Sequence, residues 1–496
     1  MKATPNQIQS APSSGPTPPE SRAARILREV FESGRPLTFV HTSEEQRAGS
    51  VLREAALRLF SPTQVPVWTW SLTHGLHRDG AHAEAGTQDP QQALEFIAAH
   101  KQPAIFHLKD FHEALRDSPA IRRHLRDLYE SCRGKRKFVV ITAPVRAIPE
   151  ELERNLLYLE LRPPDIVEIT EFLRRESGQT DMEILQPLAS ALLGLTLDEA
   201  QYAISRALAE HGSLTLEARP ALLEEKRLLI NRTGYLEFMS DGTKIGEVGG
   251  LEGIKKWLLE RRKLFQMRED LSAELVPKGV LIMGIPGCGK SLSVKAISSY
   301  LQLPLYRIDM IEIFSGRYGK PEGAFVQACK MMEDMAPAVL WFDEIEMGIT
   351  STDSGGEQGR IFAFFLTWMQ EKTRGLFVAA TANRIDLLPA EMIRKGRFDE
   401  VFFVDLPLDE ERVEIFQIHL ARRGVDLSGI DLEQLKSFTT GWTGAEIEQC
   451  VISAILKARL AEQPVTGKDL INVAVKTVPL SRTMSEQIDH IRSWAF

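Results

Sequence analysis

One stretch constrains this chain more than any other: Gly284-Ile285-Pro286-Gly287-Cys288-Gly289-Lys290-Ser291. Its spacing is G-x-x-x-x-G-K-[ST], a loop whose successive backbone N–H groups face one anion. The glycines let the chain turn tightly enough to aim those groups inward. Lys290 then reaches the β- and γ-phosphates as a point charge, and the Ser291 hydroxyl is placed to ligate Mg²⁺. The flanks agree. Lys278-Gly279-Val280-Leu281-Ile282-Met283 reads as a short buried strand. Leu292, Val294, Ala296 and Ile297 read as a helix whose N-terminus adds its dipole to the site. The bare pattern should occur by chance in only about a few per cent of chains this long. The run from Pro286 to Leu292 is therefore expected to hold a nucleoside triphosphate.

At 496 residues, with 43% hydrophobic and 26% charged content, the chain should form several globular domains. A net charge of −8 argues against a broad nucleic-acid surface. Cys132, Cys288, Cys329 and Cys450 lie far apart and form no C-x-x-C pair. That spacing argues against a disulfide framework and against a zinc cluster. No apolar run is long enough to span a bilayer, and the N-terminus lacks a signal-like core. The expected setting is a reducing cytoplasm, away from membranes.

Residues 1–21 are rich in Pro, Ser, Thr and Gln, with almost nothing to bury, and are expected to be a disordered tail. A βα rhythm follows, with strands expected at Leu37–Thr42, Val65–Leu72, Ala104–Leu108, Phe138–Thr142 and Leu157–Leu161. Such alternation predicts an α/β fold with a doubly wound parallel sheet. Residues 165 to about 230 read as helices only, with Ile166, Ile169, Phe172 and Leu173 on one face. Residues 221–246 read as a linker, rich in charge and partly helical. The spacing of His74, His77 and His82 suggests metal, but the glycines and Pro90 around it favour a solvated loop.

The second half repeats this plan. Ala104-Ile105-Phe106-His107-Leu108-Lys109-Asp110 aligns with Ala338-Val339-Leu340-Trp341-Phe342-Asp343-Glu344. Thr142-Ala143-Pro144 aligns with Thr381-Ala382-Asn383, and Ile148-Pro149 through Arg154 with Leu388-Pro389 through Arg394. Val167-Glu168-Ile169 falls on Val413-Glu414-Ile415. The offset drifts slowly, as loop insertions would make it, which favours a duplication. In the first copy the chemistry is expected to be lost. Its first strand ends at Thr42-Ser43-Glu44-Glu45, with no lysine, and two carboxylates there repel a triphosphate. Lys109 stands for Asp343, Pro144 for Asn383, Leu157 for Arg397, and Leu197 falls near Gly444.

In the second copy the apolar strand ending at Asp343-Glu344 is a Walker B arrangement. Asp343 would hold Mg²⁺ through water, while Glu344 would orient and polarise the attacking water. The next strand ends at Asn383, whose amide can donate to the γ-phosphate or the water. Further on, Arg394 and Arg397 stand three apart in Ile393-Arg394-Lys395-Gly396-Arg397-Phe398-Asp399. Planar guanidinium suits transition-state charge on a neighbour's γ-phosphate.

From Val248-Gly249-Gly250-Leu251 through Gly441-Trp442-Thr443-Gly444-Ala445-Glu446 the chain resembles an AAA+ ATPase module of the AAA clade. Over its whole length it is similar to AAA proteins of cyanobacteria and chloroplast genomes. The resemblance implies ATP with Mg²⁺, and adenine framed by Gly249, Ile415 and His419, with Gly444 and Ala445 beside the nucleotide. It implies that Asn383 is sensor 1 and that Arg394 and Arg397 are arginine fingers of a homo-hexamer. The implied organisation is a degenerate AAA+-like module over 22–220, the linker, a P-loop NTPase core over 247–405, and a helical lid with C-terminal helices over 406–496.

Where related unfoldases carry an aromatic pore loop, this chain has Ser315-Gly316-Arg317-Tyr318-Gly319-Lys320-Pro321-Glu322. Arg317 takes the aromatic position and Tyr318 the aliphatic one, which weakens the case for processive threading. The expected function is a ring ATPase that remodels a protein substrate. A nucleotide-gated scaffold with slow hydrolysis is the alternative, and a DNA-processing ATPase is disfavoured by the charge balance.

Overall fold

The computed structural model describes residues 20–78, 81–239, 243, 245–268, 270–272, 274–348, 357–394 and 396–495. Most of the expected N-terminal tail, residues 1–19, lies outside them. The chain divides into two compact units, Met1–Leu222 and Leu223–Phe496.

The first unit carries β1 (Leu37–His41), β2 (Val67–Ser71), β3 (Gly75–Arg78), β4 (Ala104–Lys109), β5 (Lys137–Ala143) and β6 (Leu157–Glu160). Their order is β3-β2-β4-β5-β1-β6, parallel throughout except for β3. The second carries β7 (Leu236–Met239), β8 (Gly279–Gly284), β9 (Leu305–Ile308), β10 (Ala338–Phe342), β11 (Leu376–Ala382) and β12 (Glu400–Val404). Their order is β12-β8-β11-β10-β9-β7, parallel except for β7. Strand for strand, the five parallel members stand in the same order. Each sheet is covered on both faces, so its central strands are apolar runs without alternation. β5 and β11 are buried at every residue. Leu281 and Met283 face one core of the second unit, and Val280 and Ile282 face the other.

Helices follow the last strand in both units: Ile166–Ser177, Met182–Leu192 and Leu197–His211 in the first, and Asp409–Arg422, Leu432–Phe438, Gly444–Leu460 and Gly467–Ala474 in the second. Reciprocal capping at Asp165/Glu168, Thr196/Glu199 and Thr443/Glu446 starts three of them.

The partly helical stretch expected over 221–246 holds the end of a helix over Arg219–Asn231, and it also holds the edge strand β7, which the sequence reading did not name, because Leu236 and Tyr235 are buried on the second core. Two expectations are corrected. His77 lies in β3, not in a loop. Leu76 beside it is buried opposite Trp70, and its N–H is held by the Thr87 hydroxyl, at 2.8 Å. Finally, Leu157 is not the counterpart of Arg397. Thr38 pairs with Leu157 where Val280 pairs with Glu400, so Leu157 stands for Glu400. Between Glu153 and β6 the first unit has only Arg154, Asn155 and Leu156, so the two-arginine loop is shortened to one arginine.

Candidate nucleotide site

The second unit holds a cavity of about 420 Å³ between the end of its sheet and its lid helices. Its floor is the turn from β8 into the helix Lys290–Leu301. Gly289 caps that helix at φ +98, a left-handed conformation that side chains resist, which leaves the first helical N–H groups open to the cavity. Lys290 is buried, and its Nζ donates to the carbonyls of Gly284 and Ile285, both at 2.9 Å. Burial pushes its ammonium down to about 8. Burial likewise raises the Cys288 thiol to about 12, so it is no nucleophile at neutral pH.

The lining includes Gly249, Pro286, Gly287, Cys288, Gly289, Lys290, Ser291 and Leu292 from one side, and Asp343, Glu344 and Asn383 from the strand ends. Ile415, His419, Gly444 and Ala445 close it from the lid. The helix Gly444–Leu460 meets the loop directly, since the Ala445 N–H donates to the Gly287 carbonyl at 3.0 Å. Burial holds the His419 imidazole below its ordinary range, so it is neutral at pH 7. All of the expected phosphate, metal and adenine residues thus border one space. Arg394 and Arg397 do not line it. Arg394 is exposed, and Arg397 donates to the Glu391 carbonyl.

The acidic end of β10 is tied to β11. The Thr381 hydroxyl donates to Asp343 Oδ1 at 2.7 Å and accepts from the Glu344 N–H at 3.3 Å. Glu344 has φ +47, which turns its carboxylate to accept from Asn383 Nδ2 at 2.8 Å. Sequence reading missed Thr381 and also Glu346, a buried acid beside the site. Thr381 stands two residues before Asn383, but only the β10–β11 register shows which hydroxyl meets Asp343. Ser291 and Asp343 supply hard oxygen donors to the same cavity, a set that fits Mg²⁺.

The expected pore loop is placed differently from a free arm. Arg317 pairs with Glu312 at 3.4 Å, and Tyr318 packs edge-on against Tyr235, with ring centroids 5.4 Å apart.

A P-loop on this sheet, an acidic strand end beside it and a lid over both define an AAA ATPase. The family model described as "ATPase family associated with various cellular activities (AAA)" matches residues 280–406. SpoVK-like AAA ATPase models match as well, the N-terminal domain over 23–161 and the second domain over 167–233. The uncharacterized AAA domain-containing protein ycf46 of Trieres chinensis is 33% identical over 476 residues, covering 94% of this chain and 95% of that one. The Guillardia theta protein of the same name is 35% identical, covering 94% and 93%. A proteasome-activating nucleotidase of Saccharolobus islandicus is 30% identical over 284 residues, 55% of this chain and 71% of its own. The chain belongs to the ycf46-type AAA ATPases, a family that binds ATP. Among the described residues no helix is long and apolar enough to cross a membrane.

Proposed function

We propose that this chain hydrolyses ATP within a head-to-tail ring of six copies, in the cytoplasm, and uses turnover to remodel a protein substrate. The observation that carries this reading is the meeting, in one cavity, of Lys290, the Glu344–Asn383 pair and the lid helix at Ala445. The P-loop N–H groups and Lys290 hold the β- and γ-phosphates, and the base lies against Gly249, Ile415, His419, Gly444 and Ala445. Ser291 and Asp343 would hold Mg²⁺, which supplies charge neutralisation at the phosphates. Glu344 takes up the proton of the attacking water, and Asn383 steadies that water or the γ-phosphate. Arg394 and Arg397 lie outside their own cavity, which suits guanidinium groups that serve a neighbouring copy. Likeness to a protein named as a proteasome-activating nucleotidase supports a protein substrate. Residues Ser315–Glu322, with Arg317 and Tyr318, are the proposed substrate contact.

The test is Glu344→Gln. ATP affinity should stay within about twofold while steady-state turnover falls about 10²- to 10⁴-fold, the range for loss of a general base. Undiminished turnover would remove the assignment. Ring action is read by mixing Arg397→Ala with Lys290→Ala copies, each inactive alone. Recovered activity is expected, and none, with a monomeric mass in ATP, would exclude the ring.

A further inference from the structure

Glu346 stands three residues past Asp343, on the short turn Ile345–Met347, and is 2% exposed. Its Oε1 accepts the Asn383 N–H at 2.7 Å and the Arg384 N–H at 3.2 Å. Its Oε2 has no hydrogen-bond partner among the described residues. A buried carboxylate is costly to keep, and bonds to it are shorter and stronger than bonds to a neutral acceptor. Here both go to the backbone of one loop, the loop that presents Asn383 to Glu344 at 2.8 Å. Glu346 itself does not line the nucleotide cavity.

The first unit supplies an internal control. Asp110 matches Glu344 in position, and the two share a left-handed backbone, with φ +51 and +47. Two residues on, His112 replaces Glu346, and the β4–β5 register puts Pro144, which has no N–H, in the place of Asn383. Where the donor is gone, the acceptor is gone too. A carboxylate needed only to fill the core would not follow the loss of that N–H.

We infer that Glu346 is a positioning residue for hydrolysis: by fixing the Asn383 backbone, it sets the amide that holds and releases Glu344. This rests on the roles proposed above for Glu344 and Asn383.

Two measurements test it on the full chain. Without added nucleotide, hydrogen exchange at the 383–384 amides should rise about tenfold or more in Glu346→Ala, with little change in the β10 and β11 strands. In steady-state kinetics the same variant should lose about 10- to 100-fold in kcat, the scale of a small misplacement, while KM for ATP moves less than about twofold. Glu346→Gln keeps an oxygen at the acceptor position and should recover most of kcat. In an Asn383→Ala background, Glu346→Ala should cost nothing further. Wild-type kcat in Glu346→Ala, a change confined to KM, or equal losses in both backgrounds would overturn the inference. Should Glu346→Ala not fold, Glu346→Asp, whose acceptor is drawn back by one methylene, must show the same pattern at smaller size. If Glu344→Gln and Asn383→Ala both turn over normally, the hydrolysis roles fail instead, and the exchange measurement still decides whether Glu346 holds the loop.

Discussion

In the first unit the chain leaves β1 at His41 and enters a helix at Glu45; in the second it leaves β8 at Gly284 and enters a helix only at Lys290. The shorter turn has no room for a phosphate cradle, and its space is filled from within. Glu44 accepts the Leu197 N–H of the following lid helix at 2.7 Å and Arg47 Nη1 at 2.7 Å. Arg47, almost fully buried, forks onto Glu168 with two bonds of 3.0 Å and donates to the Arg162 carbonyl at 2.7 Å. In the second unit the equivalent lid helix donates to the Gly287 carbonyl, and Glu414, aligned with Glu168, accepts the Gly250 N–H at 2.8 Å instead. One lid is tied to its core by an internal carboxylate between a helix N-terminus and a guanidinium. The other borders a cavity shaped for an external anion. The same sheet thus supports one module whose lid is tied to its core from within and one whose lid borders an open cavity.

Substitution at matching places separates the two most strongly. Lys290→Ala should weaken ATP binding by about 10²-fold or more, the scale of a lost buried charge contact. Arg47→Ala should leave ATP affinity unchanged and destabilise the first unit by about 3–5 kcal/mol, because Glu44 and Glu168 are left buried and uncompensated. Calorimetric titration of the full chain reads the first effect, and hydrogen exchange over β1 and β5 in urea reads the second. Two ATP sites per chain would break the comparison, as would Arg47→Ala with unchanged exchange.

A smaller contrast lies one strand away. His107 in β4 and Trp341 in β10 occupy the same position, and each bonds to a threonine of the next strand: Thr142 at 2.9 Å and Thr381 at 3.3 Å. Burial, aided by the charges of Lys109 and Arg53, pushes the His107 imidazole down to about 3. In the unfolded chain it titrates near 6.5, so between these values the unfolded state binds the extra proton. Stability is fully present above pH 6.5 and is lost as pH falls. By pH 5 the loss should reach about 2 kcal/mol at 1.36 kcal/mol per unit. Exchange over β4 and β5 should accelerate between pH 7 and 5 beyond that over β10 and β11, after correction for intrinsic rates. His107→Phe should abolish the excess. A parallel acceleration in both sheets would show that His107 is not the cause.

The chemistry-bearing residues were legible where it is carried by neighbours in sequence: the P-loop, the Asp343-Glu344 strand end and the strand ending before Asn383. A parallel sheet buried on both faces also writes itself as apolar runs, so the central strands could be read off. What escaped depends on register. Thr381 meets Asp343, and Glu346 meets Asn383, only because β10 and β11 are adjacent. The edge strands β3 and β7 are four residues each and sit among glycine or charge, so no alternation marks them. The duplicated Asp110, aligned with Glu344 in the sequence, keeps the carboxylate, and the structure adds that its φ keeps the turn, while Lys109 and Pro144 beside it have lost the chemistry.

The smallest predicted effect concerns a segment only the second unit has. After β2 the first unit turns back into β3, whereas after β9 the second runs through the helix Met310–Phe314 into Ser315–Glu322. Tyr318 in that loop lies edge-on to Tyr235, at 5.4 Å and 78°. Gly234 makes the fit possible, since a Cβ there would stand 1.8 Å from the Tyr318 hydroxyl. An edge-to-face pair contributes about 0.5–1.5 kcal/mol, so the docked loop should outnumber the free one by no more than about tenfold. A loop held that weakly can serve as a substrate contact if substrate competes for the ring of Tyr318. Tyr235→Ala should therefore raise the accessibility of Tyr318 to a nitrating reagent several-fold and leave basal turnover within about twofold. Tyr318→Ala should also keep basal turnover but lose stimulation by a protein substrate. Gly234→Ala, which expels the ring by sterics, should behave like Tyr235→Ala. If nitration of Tyr318 is the same in all three backgrounds that retain it, wild type, Tyr235→Ala and Gly234→Ala, the tyrosine pair does not hold the loop.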